Sequence, residues 1–417
     1  MKKLNVIDLF SGAGGFSEGF TQTNNYRFLA HIEWEKPMVE TLRMNLINRW
    51  GHTKDEALKS VIRFDIQKTD ELINGKWSEE TKKLYEKDNH QLVVNKGLRG
   101  LVGDEQIDII IGGPPCQAYS LAGRAQDPNS MKDDYRNYLF ESFVTVVNEF
   151  RPNIFVFENV PGMLSAKPGD RYVIDRIYEA FNKIGYEIRK PSDLKKSVYS
   201  SADFKVPQER KRVIIIGVKK TSKLNLENFY KSLDLIKTKG QKMTVRDAIG
   251  DMPKYIPLNS SFKEGRRNIS HKLIEDNPYT LHDARYHNKR DINVFFDWIS
   301  NKMNSYSTMD KLDYYYKVTG KRSNHNKYRN LEWDKPSPTI VSHLYKDGLM
   351  YIHPDIKQLR SITVREAALL QSFPIDFDFI GSNAYCFKMI GNAVPVLFAK
   401  GIGEAVYKVM EEANEKI

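Results

Sequence analysis

The sequence contains only two cysteines in 417 residues, Cys116 and Cys386, and it has no uninterrupted apolar run of membrane-spanning length. Two cysteines so far apart exclude a disulfide scaffold and are typical of a reducing compartment. The start of the chain is not a secretory signal peptide, because Asp8 interrupts a very short apolar run. We therefore expect a cytoplasmic protein without a membrane segment.

The chain also lacks internal repeats and low-complexity linkers, and its 41% hydrophobic and 28% charged residues are ordinary for a globular protein. Acidic residues are the scarcer charge: 53 Asp and Glu against 64 Lys and Arg give a formal net charge of +11. This surplus favours a polyanionic partner, usually nucleic acid, although a basic surface that maintains solubility would give the same composition.

Short apolar runs alternate with helical patterns in the first half of the chain. The pattern predicts buried strands at 4–10, 28–32, 107–111, 154–157 and 213–216, and helices at 38–50, 138–150 and 173–184. Such alternation is typical of an α/β protein with a doubly wound, mostly parallel sheet.

The alternation ends near residue 244, and the stretch 255–335 is polar, aromatic and basic. A helical pattern returns at 361–370. We expect three parts: a catalytic and cofactor-binding domain at 1–244, a smaller inserted domain at 245–357, and a C-terminal segment at 358–417 that returns to the first domain.

One cysteine lies on a stiff loop at the end of a predicted strand. The sequence Gly-Gly-Pro-Pro-Cys-Gln at 112–117 directly follows the apolar run 107–111. Two glycines permit a tight turn, and two prolines fix φ and remove N–H donors. A thiol held in this way suits nucleophilic attack, so Cys116 is a candidate nucleophile; a structural cysteine after a turn is the alternative.

A glycine-rich turn, Asp-Leu-Phe-Ser-Gly-Ala-Gly-Gly-Phe at 8–16, follows the first predicted strand. Its G-x-G-G spacing differs from the G-x-G-x-x-G of dinucleotide-binding folds and disfavours a pyrophosphate. Glu33 is placed to accept ribose hydroxyls, Trp34 to stack on adenine, and Asp65 with Ile66 to hold the adenine amine and face. S-adenosylmethionine is an adenosine without phosphates that carries a transferable methyl group, so it is the cofactor that these residues suggest. The alternative is a plain strand–turn–helix in which the acidic residues are incidental.

A carboxyl group and two arginines complete the candidate site. Glu158 ends the run 154–157, and the carboxyl ends of parallel strands meet at one edge, so Glu158 should share a crevice with Cys116. A carboxyl group in a dry crevice can stay protonated and act as a general acid. In Gln-Glu-Arg-Lys-Arg at 208–212, alternating arginines share a face and Arg212 would grip a base carbonyl; alone, this segment is also an ordinary solvated charge run.

Together these segments resemble the DNA cytosine-5 methyltransferases of bacterial restriction–modification systems. Arg365-Glu366 ahead of Gln-Ser-Phe-Pro at 371–374, and Gly-Asn-Ala-Val-Pro at 391–395, also match that family. The motifs occur in the family's order, and the resemblance covers nearly the whole chain except about 245–345. Several short motifs in the right order are far more specific than any one of them.

The resemblance implies an S-adenosylmethionine-dependent methyltransferase fold and a covalent mechanism on a cytosine flipped out of duplex DNA. Cys116 would add to C6 while Glu158 protonates or hydrogen-bonds N3 and Arg212 holds O2. C5 then takes the methyl group, S-adenosylhomocysteine is the product, and loss of the C5 proton expels the thiol. Gln117 and Arg210 join the catalytic set by motif.

The resemblance also assigns cofactor residues in the glycine turn, at the ends of strands, at one helix start and in the C-terminal motif. They are Phe10, Ser11, Gly12, Ala13, Gly14, Gly15, Phe16, Glu33, Trp34, Asp65, Ile66, Pro115, Leu139, Asn392 and Val394. Leu139 rests only on its spacing from Glu158. The stretch between Ile66 and Ile107 departs from compact family members.

The family keeps its target-recognition domain at the position of 245–345, where basic and aromatic residues interleave in a pattern that suits phosphate and groove contacts with double-stranded DNA. These residues are Arg266, Arg267, Arg285, Lys289, Arg290, 314–317, Lys321 and Arg322. The histidines between His271 and His353 lack a neighbouring cysteine or close His-x-His spacing, so we expect an ordinary surface and no metal.

Three alternatives remain open. A tRNA cytosine-5 methyltransferase shares the catalytic motifs, but that branch carries Cys-Phe-Thr in its recognition region, whereas Cys386-Phe387-Lys388 lies beyond it and lacks the threonine. Cys386 is therefore expected to be a buried packing residue. The spacing of the glycines argues against an NAD-dependent oxidoreductase. A catalytically dead DNA-binding protein would most simply lack Cys116 or Glu158, and both residues are present in this sequence. We expect a monomer, with a cognate restriction endonuclease that acts separately.

Overall fold

The computed structural model describes residues 3–115, 139–346 and 348–414. Its strands are β1 (Leu4–Leu9), β2 (Tyr26–Glu33), β3 (Val61–Arg63), β4 (Ile109–Gly112), β5 (Ile154–Asn159), β6 (Tyr186–Glu187), β7 (Val198–Ser200), β8 (Gln208–Glu209), β9 (Lys211–Lys219), β10 (Tyr255–Glu264), β11 (Arg267–Leu273) and β12 (Ser337–Pro338). Its α-helices are α1 (Gly15–Thr21), α2 (Lys36–Trp50), α3 (Lys54–Ser60), α4 (Thr69–Asn74), α5 (Glu79–Tyr85), α6 (Gln91–Val102), α7 (Leu139–Phe150), α8 (Val173–Lys183), α9 (Leu226–Ile236), α10 (Val245–Ile249), α11 (Lys289–Ser300), α12 (Thr308–Thr319), α13 (Val364–Leu370), α14 (Asn383–Asn392) and α15 (Val396–Asn414).

An eight-stranded sheet forms the centre of the first half of the chain. Its order is β3-β2-β1-β4-β5-β9-β6, and β7 also pairs with β9. The strands from β3 to β5 run parallel, and β9 runs antiparallel to β5. Every residue of β4 and β5 is buried, as expected for strands covered on both faces. The predicted doubly wound, mostly parallel sheet is confirmed, and all five predicted strands are present.

The chain divides into two compact units by packing. Unit 1 comprises Met1–Phe204, Lys211–Lys239 and Ala393–Ile417, and unit 2 comprises Lys205–Arg210 and Gly240–Asn392. Residues 358–392 thus pack within unit 2. The functional division of the chain, with a recognition domain at 245–357, stays a prediction.

The stretch Asn383–Ala413 has the length and apolar composition of a membrane-spanning helix. However, 72% of its most apolar window is buried inside the protein, which is typical of a core helix. Cys386 lies in this stretch and is fully buried, as predicted for a packing residue. Burial raises the pKa of its thiol to about 11, so it stays protonated at neutral pH.

Unit 2 contains a buried polar core that the sequence did not predict. The Arg360 guanidinium binds the Glu366 carboxylate through two hydrogen bonds, at 2.7 and 2.6 Å, and both side chains are fully buried. Four histidines that we expected at an ordinary surface are also buried: His271, His282, His287 and His353. That expectation was wrong, because each of these rings takes part in a hydrogen bond inside the unit, such as the one between His282 and the Pro253 carbonyl at 2.8 Å.

Candidate active site at the carboxyl edge of the sheet

The turn between β1 and α1 leaves open backbone at the carboxyl edge of the sheet. Gly12 and Gly14 have φ values of 56° and 92°, which L side chains rarely adopt. A Cβ at Gly14 would lie 2.5 Å from Cδ1 of Leu42. Around a Cβ built at Gly12, the described residues place nothing within 4 Å, so the space is open to a ligand. The remaining turn residues are buried: Ser11, Ala13, Gly15 and Phe16.

Glu33, the last residue of β2, reaches back to this turn. Its Oε2 accepts a hydrogen bond from the Gly12 N–H, and its Oε1 accepts from the N–H groups of Trp34 and Glu35, each at 2.9 Å. Burial raises the pKa of Glu33 to about 7 despite these donors. A carboxylate has about four acceptor positions, so among the described contacts one remains for a hydroxyl group of a ligand.

Trp34 presents an exposed aromatic ring beside this carboxylate. Its side chain is 52% exposed, which is unusual for so large an apolar group. Its main chain is held on both sides, because the N–H donates to Glu33 and the carbonyl accepts from Nε of Arg63 at 3.3 Å. An exposed ring on a fixed backbone offers a stacking face for a flat heterocycle.

Four more of the predicted cofactor residues of unit 1 are buried or half-buried. Ile66 and Leu139 are buried in the main core, and Phe10, with a φ of 60°, packs against that core. Asp65 is half-buried after β3, and its Oδ1 accepts from the Gln67 N–H at 3.0 Å. The open glycine, the acceptor on Glu33 and the exposed indole together fit a nucleoside without phosphates.

The stem of the predicted cysteine loop is anchored to the end of β5. A Cβ built on Gly113 would lie 2.8 Å from Oε2 of Glu158, so a larger residue here would displace the Glu158 carboxyl group. Two residues before Cys116, the carbonyl of Pro114 accepts a hydrogen bond from Nδ2 of Asn159 at 3.2 Å. The sequence predicts that Cys116 and Glu158 meet, and the stem passes Glu158 at Gly113, three residues before Cys116.

Two of the predicted catalytic residues, Cys116 and Gln117, lie outside the described residues. Pro115, the last described residue of the stem, is exposed. Asn159 is a site residue that the sequence analysis missed. It is 1% exposed, and the available signals were its place directly after Glu158 at the end of a buried strand and the Glu158-Asn159-Val160 motif within the family resemblance.

Arg212 joins Glu158 on the adjacent strand. Its Nε lies 2.7 Å from Oε1 of Glu158, and the two side chains are only 12% and 11% exposed. The antiparallel pairing of β5 with β9 places Glu158 opposite Ile214 and Asn159 opposite Val213, which brings the end of β5 level with the start of β9. A guanidinium and a carboxyl group side by side can hold adjacent polar atoms of one planar ligand.

The neighbouring arginine has a different environment. Arg210 belongs to unit 2 and is 2% exposed, and its terminal nitrogens donate to the carbonyls of Ile340 at 3.0 Å and Gly391 at 2.8 Å. Gln208 accepts from the Ile340 N–H at 2.9 Å. These side chains hold main-chain segments of unit 2 together, and the role of Arg210 in catalysis stays a prediction.

The C-terminal motif contributes the last two predicted cofactor residues. Asn392 is exposed at the end of α14 in unit 2, and Val394 is 7% exposed in unit 1. No group of three or more potential metal ligands occurs among the residues that the structure describes.

A known protein family matches most of the length of this chain. The C-5 cytosine-specific DNA methylase family matches residues 4–94 and 62–408. A type II methyltransferase of Bacillus paralicheniformis, M.Bpa9945I, is 33% identical and covers 97% of this chain and 99% of its own. M1.HphI of Haemophilus parahaemolyticus is 30% identical over 97% of this chain and 87% of its own.

Solved structures share the fold. A putative DNA modification methyltransferase encoded within an E. coli prophage covers 98% of this chain and 100% of its own, with a TM-score of 0.61 at 23% identity. The Dnmt2 methyltransferase of S. pombe covers 99% of this chain and 100% of its own, with a TM-score of 0.53 at 14% identity. At these identities the likeness concerns the fold alone.

Proposed function

This chain belongs to the C-5 cytosine-specific DNA methylase family and is a DNA cytosine-5 methyltransferase, and from that premise we propose that it methylates C5 of a cytosine flipped out of a specific duplex sequence. The proposed methyl donor is S-adenosylmethionine, and the proposed nucleophile is Cys116. The observation that carries the proposal is the convergence of two parts on Glu158 at the end of β5: the stem of the cysteine loop at Gly113 and the Arg212 guanidinium.

The donor would lie at the glycine turn and supply an electrophilic methyl group. Glu33 would accept a hydrogen bond from a ribose hydroxyl group, since its Oε2 retains an acceptor position beside Gly12. Trp34 would stack on the adenine ring, and Asp65 would accept from its amine. Pro115, Asn392 and Val394 stay in the proposed set by motif, as do the buried residues that shape the turn.

The base would enter between the loop stem and Arg212. Cytosine C5 is a weak nucleophile, and addition of the Cys116 thiolate to C6 places an electron pair on C5. Glu158 would donate a hydrogen bond to N3 while Arg212 binds O2, so that charge developing on the ring is stabilised. C5 would take the methyl group as the bond between that group and the sulfonium sulfur of the donor breaks. Water would then accept the C5 proton, whose bonding electron pair returns to the ring as the C6–S bond breaks and Cys116 leaves as a thiolate.

The other members of the predicted catalytic set take supporting roles in this proposal. Gln117 follows the nucleophile in the loop. Arg210 would act by holding the carbonyls of Ile340 and Gly391 and therefore the local shape of unit 2. Its buried guanidinium already donates to main-chain carbonyls, and a contact with the base would require these hydrogen bonds to break.

Recognition of DNA is assigned to unit 2. The hairpin of β10 and β11 is exposed over 259–264 and again at Arg267 and Asn268, so both of its faces lie in solvent near the tip. A two-stranded ribbon fits the major groove of B-DNA. Lys263, Arg266 and Arg267 give this tip a positive charge that suits phosphates.

The names of the similar proteins also bear on partners. Two of the similar proteins are type II methyltransferases, which fit restriction–modification systems, so we propose that a restriction endonuclease acts separately from this enzyme. We also propose that the enzyme is a monomer and that it acts in the cytoplasm. The tRNA alternative is not favoured, because the 33% identical relative is a type II methyltransferase and the matching family is a DNA methylase family.

The covalent step is tested with duplex DNA in which every cytosine carries fluorine at C5. Fluorine replaces the proton that must leave, so the protein–DNA adduct should persist in denaturing gels when S-adenosylmethionine is present. The adduct should map to the Cys116 peptide, vanish in Cys116→Ala and remain in Cys386→Ala, whose sulfur is buried. An adduct on Cys386, or full methylation by Cys116→Ala, would overturn the mechanism.

A further inference from the structure

The segment 79–89, which lies between β3 and β4, is bound tightly to one residue of the sheet edge. It consists of α5 and a short 3₁₀ turn at Glu86–Asp88. Its target is Arg63, the last residue of β3, and the side chain of Asn89 holds both main-chain polar groups of Arg63. Asn89 Oδ1 accepts from the Arg63 N–H at 2.9 Å, and Asn89 Nδ2 donates to the Arg63 carbonyl at 2.8 Å.

The same segment also fixes the Arg63 side chain. Its Nη1 donates to Oδ2 of Asp88 at 2.5 Å and to the carbonyl of Leu84 at 3.2 Å. The guanidinium lies 5.4 Å from the ring centre of Tyr85. These contacts restrain the Arg63 guanidinium, and its Nε donates to the carbonyl of Trp34 at 3.3 Å.

Asp88 also binds a second cation close to Trp34 in the sequence. Its Oδ1 lies 3.0 Å from Nζ of Lys36, two residues after Trp34. The main-chain carbonyl of Asp88 accepts from Arg43 at 2.7 Å, which ties the segment to α2. One carboxylate therefore bridges the two cations that flank Trp34, and its side chain is only 19% exposed. Burial alone would raise the pKa of Asp88, but hydrogen bonds from Lys36 and Arg63 lower it below its usual value.

We propose that Asp88 is a positioning residue for the methyl donor, and that segment 79–89 is a buttress that sets the orientation of the Trp34 indole through Arg63 and Lys36. This inference rests on the proposed stacking of adenine on Trp34. The Trp34 indole is 52% exposed, and the main chain sets the direction of its Cα–Cβ bond and the rotamers open to the ring, so contacts that hold this main chain limit the orientations of the ring. An oriented ring loses less freedom when adenine stacks, and affinity for the adenosine end rises accordingly.

The test compares Asp88→Ala and Asp88→Asn with Glu79→Gln. Glu79 is an exposed carboxylate on α5 whose ion pair with Lys82 stays within that helix, so its variant removes a charge from the same segment without touching Trp34. Affinity for S-adenosylhomocysteine is measured by calorimetry, and steady-state kinetics give the KM for S-adenosylmethionine, the KM for DNA and kcat.

We expect both Asp88 variants to bind S-adenosylhomocysteine about tenfold more weakly and to raise the KM for S-adenosylmethionine by a similar factor, with Asp88→Ala the stronger. The kcat at saturating donor and the KM for DNA should stay within about twofold. Glu79→Gln should match the wild-type protein. Unchanged affinity in folded Asp88 variants would overturn the inference, as would a fall in kcat with no change in the KM for the donor.

A second readout needs no donor. In proteins whose other four tryptophans are replaced by phenylalanine, Trp34 fluorescence reports the ring directly. Asp88→Ala should increase acrylamide quenching of Trp34 in the unliganded protein, and Glu79→Gln should leave it unchanged. Equal quenching of Trp34 in the Asp88→Ala and Glu79→Gln proteins would overturn the inference, even if the wild-type protein binds the donor well. If the wild-type protein binds no S-adenosylhomocysteine, the proposed function fails, and this inference fails with it.

Discussion

Asn159 donates a hydrogen bond from Nδ2 to the carbonyl oxygen of Pro114 across 3.2 Å, and its Oδ1 accepts from the Val160 N–H at 2.8 Å. The amide thus joins the end of β5 to the stem of the cysteine loop. Because Glu158 is its neighbour on the same strand, one residue fixes the spacing between the carboxyl group and a point two residues before Cys116. Spacing of this kind controls rates, since small displacements of reacting groups cost large factors.

Replacing Asn159 with alanine should therefore slow methylation by about ten- to a hundredfold, because the Pro114 carbonyl loses its anchor. Affinity for S-adenosylhomocysteine should stay near the wild-type value, since Glu33 and Trp34 are untouched. Single-turnover methylation of DNA together with calorimetry measures both.

The matched control is Asn182→Ala, which removes the bond from an asparagine Nδ2 to the carbonyl of Tyr178 at the end of α8. It should retain normal turnover. A wild-type rate in folded Asn159→Ala would show that the hydrogen bond is dispensable for placing the loop.

Affinity for the methyl donor should increase with pH through neutrality. The pKa of Glu33 is raised to about 7 by burial, so the carboxyl group is largely protonated at pH 6 and ionised at pH 8. Ribose hydroxyls bind the ionised acceptor better, which means that binding releases a proton. Calorimetry with S-adenosylhomocysteine at pH 6, 7 and 8, in two buffers of different ionisation heat, would measure the affinity and the released proton. Binding in Glu33→Ala should be weaker and nearly independent of pH, whereas a wild-type affinity would remove Glu33 from the site.

The raised pKa of Glu33 has the opposite effect on the stability of the unliganded protein, which should fall as pH rises. The folded unliganded protein holds a proton on Glu33 that the unfolded chain has already lost above its ordinary pKa of 4.5. The contribution of Glu33 to the free energy of unfolding therefore falls as pH rises from about 4.5 to about 7. Binding of the donor should offset this loss.

The sheet and the outline of the site were predictable because strand patterns and the order of motifs are local in sequence. The runs at 4–10 and 154–157 appear as β1 and β5 with ends shifted by one or two residues. The burial of Arg210 and the Asp88 network were not predictable, because each depends on chain segments far apart in sequence. The histidines of unit 2 were misjudged for the same reason: a polar side chain is buried when tertiary contacts satisfy it, and periodicity does not report those contacts.

The hairpin tip gives a prediction about DNA binding. Replacing both Arg266 and Arg267 with alanine should weaken binding to duplex DNA and reduce the slope of log Kd against log salt by about 1 to 2, because each phosphate contact contributes about 0.9. Fluorescence anisotropy at several salt concentrations gives the slope. The control is the double variant Lys220→Ala/Lys223→Ala on unit 1, also exposed. A reduction of the slope in the control alone would place the phosphate contacts elsewhere.

The buried pair in unit 2 gives a prediction about stability. Burial alone would raise the pKa of Glu366, but the charge and hydrogen bonds of Arg360 outweigh it and hold the pKa well below its usual range. A carboxylate with a lowered pKa stabilises the fold above its ordinary pKa of 4.5, and this contribution is lost as pH falls below that value.

Glu366→Ala would leave the Arg360 guanidinium fully buried with its charge unpaired, which should cost about 3–5 kcal/mol of the free energy of unfolding. It would also remove one of the two hydrogen bonds of the capping box of α13, in which the Glu366 carboxylate accepts from the Thr363 N–H at 2.8 Å. Urea denaturation at pH 7 should show the loss. The difference should shrink at pH 3, because the unfolded wild-type chain then binds a proton at Glu366 that the folded protein does not. Glu332→Ala, which removes a half-exposed partner of Lys335, should cost less than about 1 kcal/mol. Equal destabilisation by the two variants would mean that the buried pair contributes no more than a surface contact.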